Sequence, residues 1–154
     1  MAVYFFDSSA LVKRHVDEVG STWVRAQTRA KAGHTLYIAR ITSVEITSAI
    51  TRRQRGGYLS AAQAGAMFGH FRRHLTERYS ILELTSVQAT EAMLLARAHG
   101  LRAYDAVQLA AALEVSRIYQ TAGLGPVTIV SSDQALNDAA TAQGLTVDDP
   151  RAHP

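Results

Sequence analysis

Four acidic residues stand where chemistry could be assembled. Asp7 directly follows the apolar run Val3 to Phe6, Glu45 follows Thr35 to Ala39, Asp133 follows Pro126 to Ser131, and Asp105 lies in a stretch of small apolar residues around Ala103, Ala106, Ala110, Ala111 and Ala112. The chain has only 13 acidic residues, so this placement is informative. In an open parallel sheet, ligands bind beyond the carboxyl ends of the strands, and acids distant in sequence meet there if their strands are neighbours. Converging carboxylates repel by about 4 kcal/mol per close pair at an effective dielectric near 20, a cost that a divalent cation removes. An all-oxygen donor set without cysteine suits Mg²⁺ or Mn²⁺ rather than zinc.

Each acid also has a purely structural reading. Asp7 and Asp133 are placed to cap the helices that follow them, and Thr42-Ser43-Val44-Glu45 fits a capping box in which Glu45 reaches back to Thr42. Asp105 fits a first-turn dipole role less easily, because a carboxylate on an Ala-rich face is costly unless a cation meets it. The six histidines show no HExxH spacing, and His70 with His74 reads as a solvated i, i+4 pair.

The elements that must position these residues follow from periodicity. Val3 to Phe6 reads as a strand, Asp7-Ser8-Ser9 as a turn, and Ala10 onward as a helix. A helix over Ser21 to Lys31 stops at Gly33, and Thr35 to Ala39 is the second strand. The spacing predicts a helix over Val44 to Arg55 closed by Gly56-Gly57, then one capped by Ser60 and running to about Tyr79, with Ala64, Met67, Phe68, Phe71 and Leu75 on one stripe. Ser80 to Leu84 reads as strand, Val87 to Ala98 and Ala103 to Tyr119 as helices, Pro126 to Ser131 as strand, Asp133 to Ala142 as helix, and Leu145 to Val147 as a last strand. Short, nearly all-apolar strands separated by helices predict an α/β fold, a three-layer α/β/α domain around a central short parallel sheet. One domain is expected over residues 1–148, with a frayed tail at 149–154.

Composition narrows the class further. A chain of 154 residues that is 47% hydrophobic can bury a core without staples, and with no cysteine it has no disulfide framework. No apolar run reaches the roughly 18 residues of a membrane span, and Ala2 to Phe6 lacks the basic flank of a signal peptide, so a soluble cytoplasmic protein is expected. Net charge is only +3, yet Arg52, Arg53, Arg55, Arg72, Arg73 and Arg78 cluster with Glu77 as the sole acid among them. Such a patch reads either as a nucleic-acid footprint or as a solvated helix face.

The segments YFFDSSALVKRHVDEVGSTWV, SVEITSAI around Glu45, LRAYDAVQLAAAL and IVSSDQAL followed by AAxxxGL together resemble the PIN-domain ribonucleases, specifically the VapC-type toxin of VapBC toxin-antitoxin pairs. The likeness covers nearly the whole chain, and its strength lies in the order and spacing of all four motifs. It implies a PIN-like fold and a metal-dependent endoribonuclease that acts as the toxin of a type II pair. Asp7, Glu45, Asp105 and Asp133 fall on the family's acidic quartet and Ser131 on its hydroxyl residue two before the last acid. A further acid found in some members has no clear counterpart, since Gln134 and Ala135 follow Asp133 and Asp138 comes a turn later.

On this reading Mg²⁺ (or Mn²⁺) held by Asp7 and Asp105, with Glu45 and Asp133 completing the shell, orients a water for in-line attack on a phosphodiester. Ser8, Ser9 and Ser131 are candidates to orient the carboxylates, a role that competes with ordinary turn chemistry. Lys13, Arg14, Arg52 and Arg53 are candidates to position the RNA backbone. The partners implied are an RNA substrate, a small antitoxin and a second copy of the chain, and no membrane; Met67, Phe68, Phe71 and Leu75 are expected to be partly exposed beneath a protein partner. Two other classes compete. One is a catalytically silent PIN-fold binding module. The other is an aspartate-dependent phosphatase, which needs D-x-D where this chain has Asp7-Ser8-Ser9, and a lysine before Asp133 that it lacks.

Overall fold

A computed structural model describes residues 1–153. Five strands form one parallel sheet: β1 (Val3–Phe6), β2 (Thr35–Ala39), β3 (Ser80–Leu82), β4 (Thr128–Val130) and β5 (Thr146–Asp148). Their order is β3-β2-β1-β4-β5. From β1 the chain moves outward to β2 and β3 on one side, and later to β4 and β5 on the other. The order therefore reverses at β1 and β4, which pair in register through Tyr4 with Thr128, Phe5 with Ile129 and Phe6 with Val130. A crevice opens at such a switch point, beyond the carboxyl ends of the two strands.

The helices are α1 (Ser8–Leu11), α2 (Ser21–Gln27), α3 (Arg40–Arg55), α4 (Ala61–Glu77), α5 (Ser86–His99), α6 (Ala103–Thr121) and α7 (Gln134–Ala142). Successive strand residues face opposite sides, and both sides are covered. Phe5 packs among Leu95, Leu109, Ala110, Leu136 and Ala140 of α5, α6 and α7, whereas Phe6 packs among Leu11, Val24, Ile46, Ile50 and Phe71 of α1 to α4. Two apolar cores separated by a sheet are the three-layer α/β arrangement that near-continuous apolar strands require.

Local details differ from the periodicity in instructive ways. Helix α3 begins at Arg40, immediately after β2, so Thr42 lies inside the helix rather than capping it. Thr42 is fully buried and bonded to Gln108, and the predicted capping box with Glu45 does not form. Ser60 does cap α4 in a reciprocal box with Gln63. The stripe on α4 turns inward: Phe71 is buried, and Met67, Phe68 and Leu75 are half-buried against the same core.

Residues 149–153 are docked rather than frayed, and Pro154, the last residue of the expected tail, lies outside the described residues. Asp149 caps a 3-10 turn over Pro150–Ala152 and pairs with Arg151, Pro150 is buried, and His153 stacks on Trp23 with ring centroids 4.5 Å apart. The seat requires Gly20. Its φ is +88°, and a Cβ there would stand 2.3 Å from the Pro150 carbonyl oxygen. The sequence pattern missed this because the contacts join residues more than 120 positions apart, to which local periodicity is blind.

Candidate active site

Asp7 is the residue that leaves β1 at the switch point. Its amide donates to the Val130 carbonyl at 3.0 Å, so the backbone hands it from the centre of the sheet to the crevice floor. The carboxylate caps α1 by accepting the Ser9 amide at 3.1 Å, and also accepts the Ser9 hydroxyl at 2.5 Å and the Ser131 hydroxyl at 3.3 Å. Ser8 adds a longer contact at 3.4 Å. Capping and site construction are thus two uses of one side chain. Asp7 is only 2% exposed, and burial pushes its pKa up despite the Ser9 hydrogen bonds, with the nearby Asp105 charge adding to the rise.

The serines knit the two central strands together above the sheet. Ser9 Oγ accepts from the Ser132 amide at 2.9 Å, and Ser131 Oγ accepts from the Asp133 amide at 3.1 Å. Asp133 caps α7 by accepting the Leu136 amide at 3.0 Å. Ser131 is itself fully buried, and its carbonyl accepts from Asn137 at 3.1 Å.

Glu45 reaches the crevice from α3 and Asp105 from the first turn of α6. Gln108, one turn beyond Asp105, donates one amide group to Glu45 at 2.8 Å and to Thr42 at 2.9 Å, bridging α6 to α3 over the end of the sheet. Burial raises the Glu45 pKa as well, opposed by its bonds to Gln108 and Ser8 and supported by the charges of Asp7 and Asp105.

The four acids line one cleft of about 490 Å³ together with Ser8, Ser9, Arg52, Arg102 and Tyr104. They do not close onto a single point. Among the described residues no three His, Asp or Glu side chains form a ready-made metal cage. Arg102 donates to Asp105 at 2.9 Å and to Asp133 at 2.8 Å and so supplies positive charge between two of the acids. The donors nonetheless suit a hard divalent cation: all are carboxylate oxygens, and the charges of Asp7 and Glu45 are disfavoured by burial and then by neighbouring carboxylates, Asp105 for Asp7 and both Asp7 and Asp105 for Glu45.

Sequence reasoning missed Arg102 and Gln108. Arg102, exposed at the N-cap of α6, carried no burial signal, whereas Gln108 did, standing three residues after Asp105 on a helix whose inward residues are mostly Ala and Leu. A polar residue at such a position must find a partner.

The cations expected at the RNA backbone separate. Arg52 lines the cleft and bonds Ser48 at 3.1 Å. Arg53 pairs with Glu18 at 2.6 Å. Lys13 is buried and also pairs with Glu18, at 3.1 Å, so it does not reach the cleft. Arg14 turns away as well, donating to Thr28 and lying 3.3 Å from His74. Asp138 is exposed, accepts from Gln134 at 2.8 Å, and is not part of the cleft wall.

Comparison with known proteins agrees with this architecture. No curated protein matches the chain. Among the solved structures that resemble it over nearly its whole length are the following three. PAE2754 from Pyrobaculum aerophilum has 20% identity and a TM-score of 0.62, covering 99% of this chain and 92% of that one. FitAcB from Neisseria gonorrhoeae has 15% identity and a TM-score of 0.67, covering 96% and 97%. VapBC2 from Rickettsia felis, bound to a DNA fragment from its promoter, has 14% identity and a TM-score of 0.61, covering 96% and 98%. At these identities the likeness is one of fold. Residues 4–141 match the family described as PIN domain, a span that contains all four acids and both strands of the switch point, and the chain belongs to that family.

Proposed function

We propose that the protein is a metal-dependent endoribonuclease acting as the toxin of a toxin-antitoxin pair. The observation that carries this reading is the buried Asp7 at the carboxyl end of the central strand, facing a cleft that Glu45, Asp105 and Asp133 also line. The similar folds of FitAcB and VapBC2, the latter described with promoter DNA, support an antitoxin partner; an RNA substrate, a second copy of the chain and action in the cytoplasm are parts of the proposal itself.

Asp7 and Asp105 would hold Mg²⁺ or Mn²⁺, with Glu45 and Asp133 completing its shell. The bound ion supplies Lewis-acid activation of water and neutralises charge on the scissile phosphate. The chain's own residues do the positioning. Ser9 and Ser131 fix the Asp7 carboxylate, Gln108 fixes Glu45, and the α7 cap fixes Asp133. If Asp105 and Asp133 held the ion, Arg102 would give up one or both of these partners, and its guanidinium would be placed to meet a phosphate. Arg52, on the cleft wall without a carboxylate partner, is the second phosphate contact.

The ion pairs of Arg102 favour one rival, a catalytically silent binding module in which arginine permanently occupies the acidic cleft. Asp7→Asn and Asp105→Asn discriminate, because each removes a ligand charge and keeps shape. On the nuclease reading both proteins fold, bind Mn²⁺ weakly by calorimetry, and cleave RNA at least ~100-fold more slowly than wild type across a Mg²⁺ titration. A wild-type protein that neither binds Mn²⁺ nor cuts RNA would establish the silent module.

A further inference from the structure

The molecule has a second pocket of opposite character. It holds about 520 Å³ between the segment after α1, helix α2 and helix α4, and Arg14, His15, Arg25, Arg29, His70 and His74 line it with Gln63, Ala66 and Met67. Among the described residues no acidic side chain is in its wall. One of the guanidiniums has a carboxylate partner, Arg25 with Asp17 at 2.6 Å. Arg14 is partly buried, donates to Thr28, and meets only another potential cation, His74, at 3.3 Å. Arg29 is exposed at the rim and forms no ion pair among the described residues.

Two buried nitrogens in this wall have no partner, His15 Nε2 and His74 Nδ1. Buried polar atoms are almost always hydrogen-bonded, so two orphaned nitrogens on residues that line one pocket are informative. Repulsion is also recorded in the side chains themselves. Burial and then the Arg14 charge push both His15 and His74 down to about 4, and Arg14 is lowered by burial together with Arg78, Arg29 and Arg25. Two guanidiniums without a carboxylate partner, Arg14 and Arg29, in a wall free of acids are the counterpart of the acidic cleft, and an anion removes their cost as a cation removes the other's.

We propose that this pocket is a binding site for a phosphate group, with Arg14 and Arg29 supplying guanidinium forks and the His15 and His74 rings forming its wall. Phosphate fits better than a carboxylate because several oxygens can accept from donors that converge from three elements, and planar forks pair with it bidentately. The group comes either from a polynucleotide backbone or from free phosphate. What favours the backbone source is that Val12 lines the acidic cleft and Arg14, two residues on, lines this pocket. The site itself does not depend on the nuclease reading.

The test follows the imidazole ¹⁵N resonances of the full chain by NMR while adding inorganic phosphate, a short 2′-O-methyl oligonucleotide, or polyglutamate. Saturable shifts of His15 and His74 with phosphate are expected, and the paired Arg29→Ala and His70→Ala substitutions, both at exposed positions, should weaken binding roughly tenfold or more. Arg14→Lys keeps the charge and loses the fork, and should also weaken it. Equal responses to phosphate and oligonucleotide identify a site for the group from either source; a response to the oligonucleotide alone, steep in salt, identifies a backbone site. Asp7→Asn should bind phosphate like wild type, which separates this site from the cleft. Unmoved His15 and His74 resonances with both phosphate probes, an unaltered affinity in the Arg29→Ala, His70→Ala protein, or equally tight binding of polyglutamate would overturn the proposal.

Discussion

The Arg102 guanidinium donates to the Asp133 carboxylate at 2.8 Å across 31 positions of sequence, joining the start of α6 to the start of α7. With its bond to Asp105 this makes a small internal counter-ion system in a cleft otherwise lined by acids. Arg102 is 78% exposed, so solvent and salt screen both pairs and they can be displaced.

Arg102→Gln should therefore free Asp105 and Asp133 for a cation. Calorimetry with Mn²⁺ is expected to give a dissociation constant on the order of three- to tenfold lower than wild type, with the difference shrinking at high salt. Weaker Mn²⁺ binding by Arg102→Gln would show instead that the arginine helps to hold the acids in position.

Gln108 is fully buried and is the donor that connects Glu45 to α6. Gln108→Ala leaves a cavity and removes a partner from both Glu45 and Thr42, a loss of about 2 to 4 kcal/mol. For a chain of this size that lowers the melting temperature by roughly 5 to 15 °C. In the protein that remains folded, Mn²⁺ affinity should fall ~10- to 100-fold, because a side chain that orients a ligand is lost. An unchanged affinity would remove Glu45 from the metal shell.

Arg52 and Arg53 are adjacent in sequence but differ in their pairing. Arg53 is held by Glu18, while Arg52 stands on the cleft wall without an acid. Arg52→Ala should weaken binding of an uncleavable RNA and reduce the slope of log affinity against log salt by about 0.7, as expected for one phosphate contact on a single strand. Arg53→Ala should change that slope little. Equal effects would mean that the Glu18 pair opens when RNA binds.

Stability should fall in acid through His15, packed edge-on against Phe71 at 5.4 Å with Arg14, Arg25, His70 and His74 around it. Its pKa is about 4 in the fold against 6.5 unfolded, so between those values the unfolded chain binds more protons and each downward step in pH favours unfolding. The stability is complete above about pH 6.5 and is lost as pH falls through 4, by about 3 kcal/mol from this group at pH 4. His15→Gln should flatten the fall in melting temperature between pH 7 and pH 4, whatever its effect at neutral pH. A profile as steep as wild type would assign the acid sensitivity to other groups.

What the sequence by itself determined was the alternation of short apolar strands with helices, and the position of an acid just after each of two strands. Those are properties of contiguous residues: Phe5 and Phe6 must face opposite sides of a strand wherever it lies, and Asp7 and Asp133 must begin helices whatever else they do. Tertiary structure decided which strands are neighbours, and hence that β4 beside β1 brings Asp133 to the crevice of Asp7. It also buried Lys13 against Glu18, turned Arg14 into a second pocket, seated Pro150 on Gly20, and gave Arg102 and Gln108 their partners. Each of these is a pairing demanded by burial or charge, and the chain alone does not state who will answer the demand. Strand order brings together residues tens of positions apart, and only then does a buried amide or an uncompensated cation find its partner.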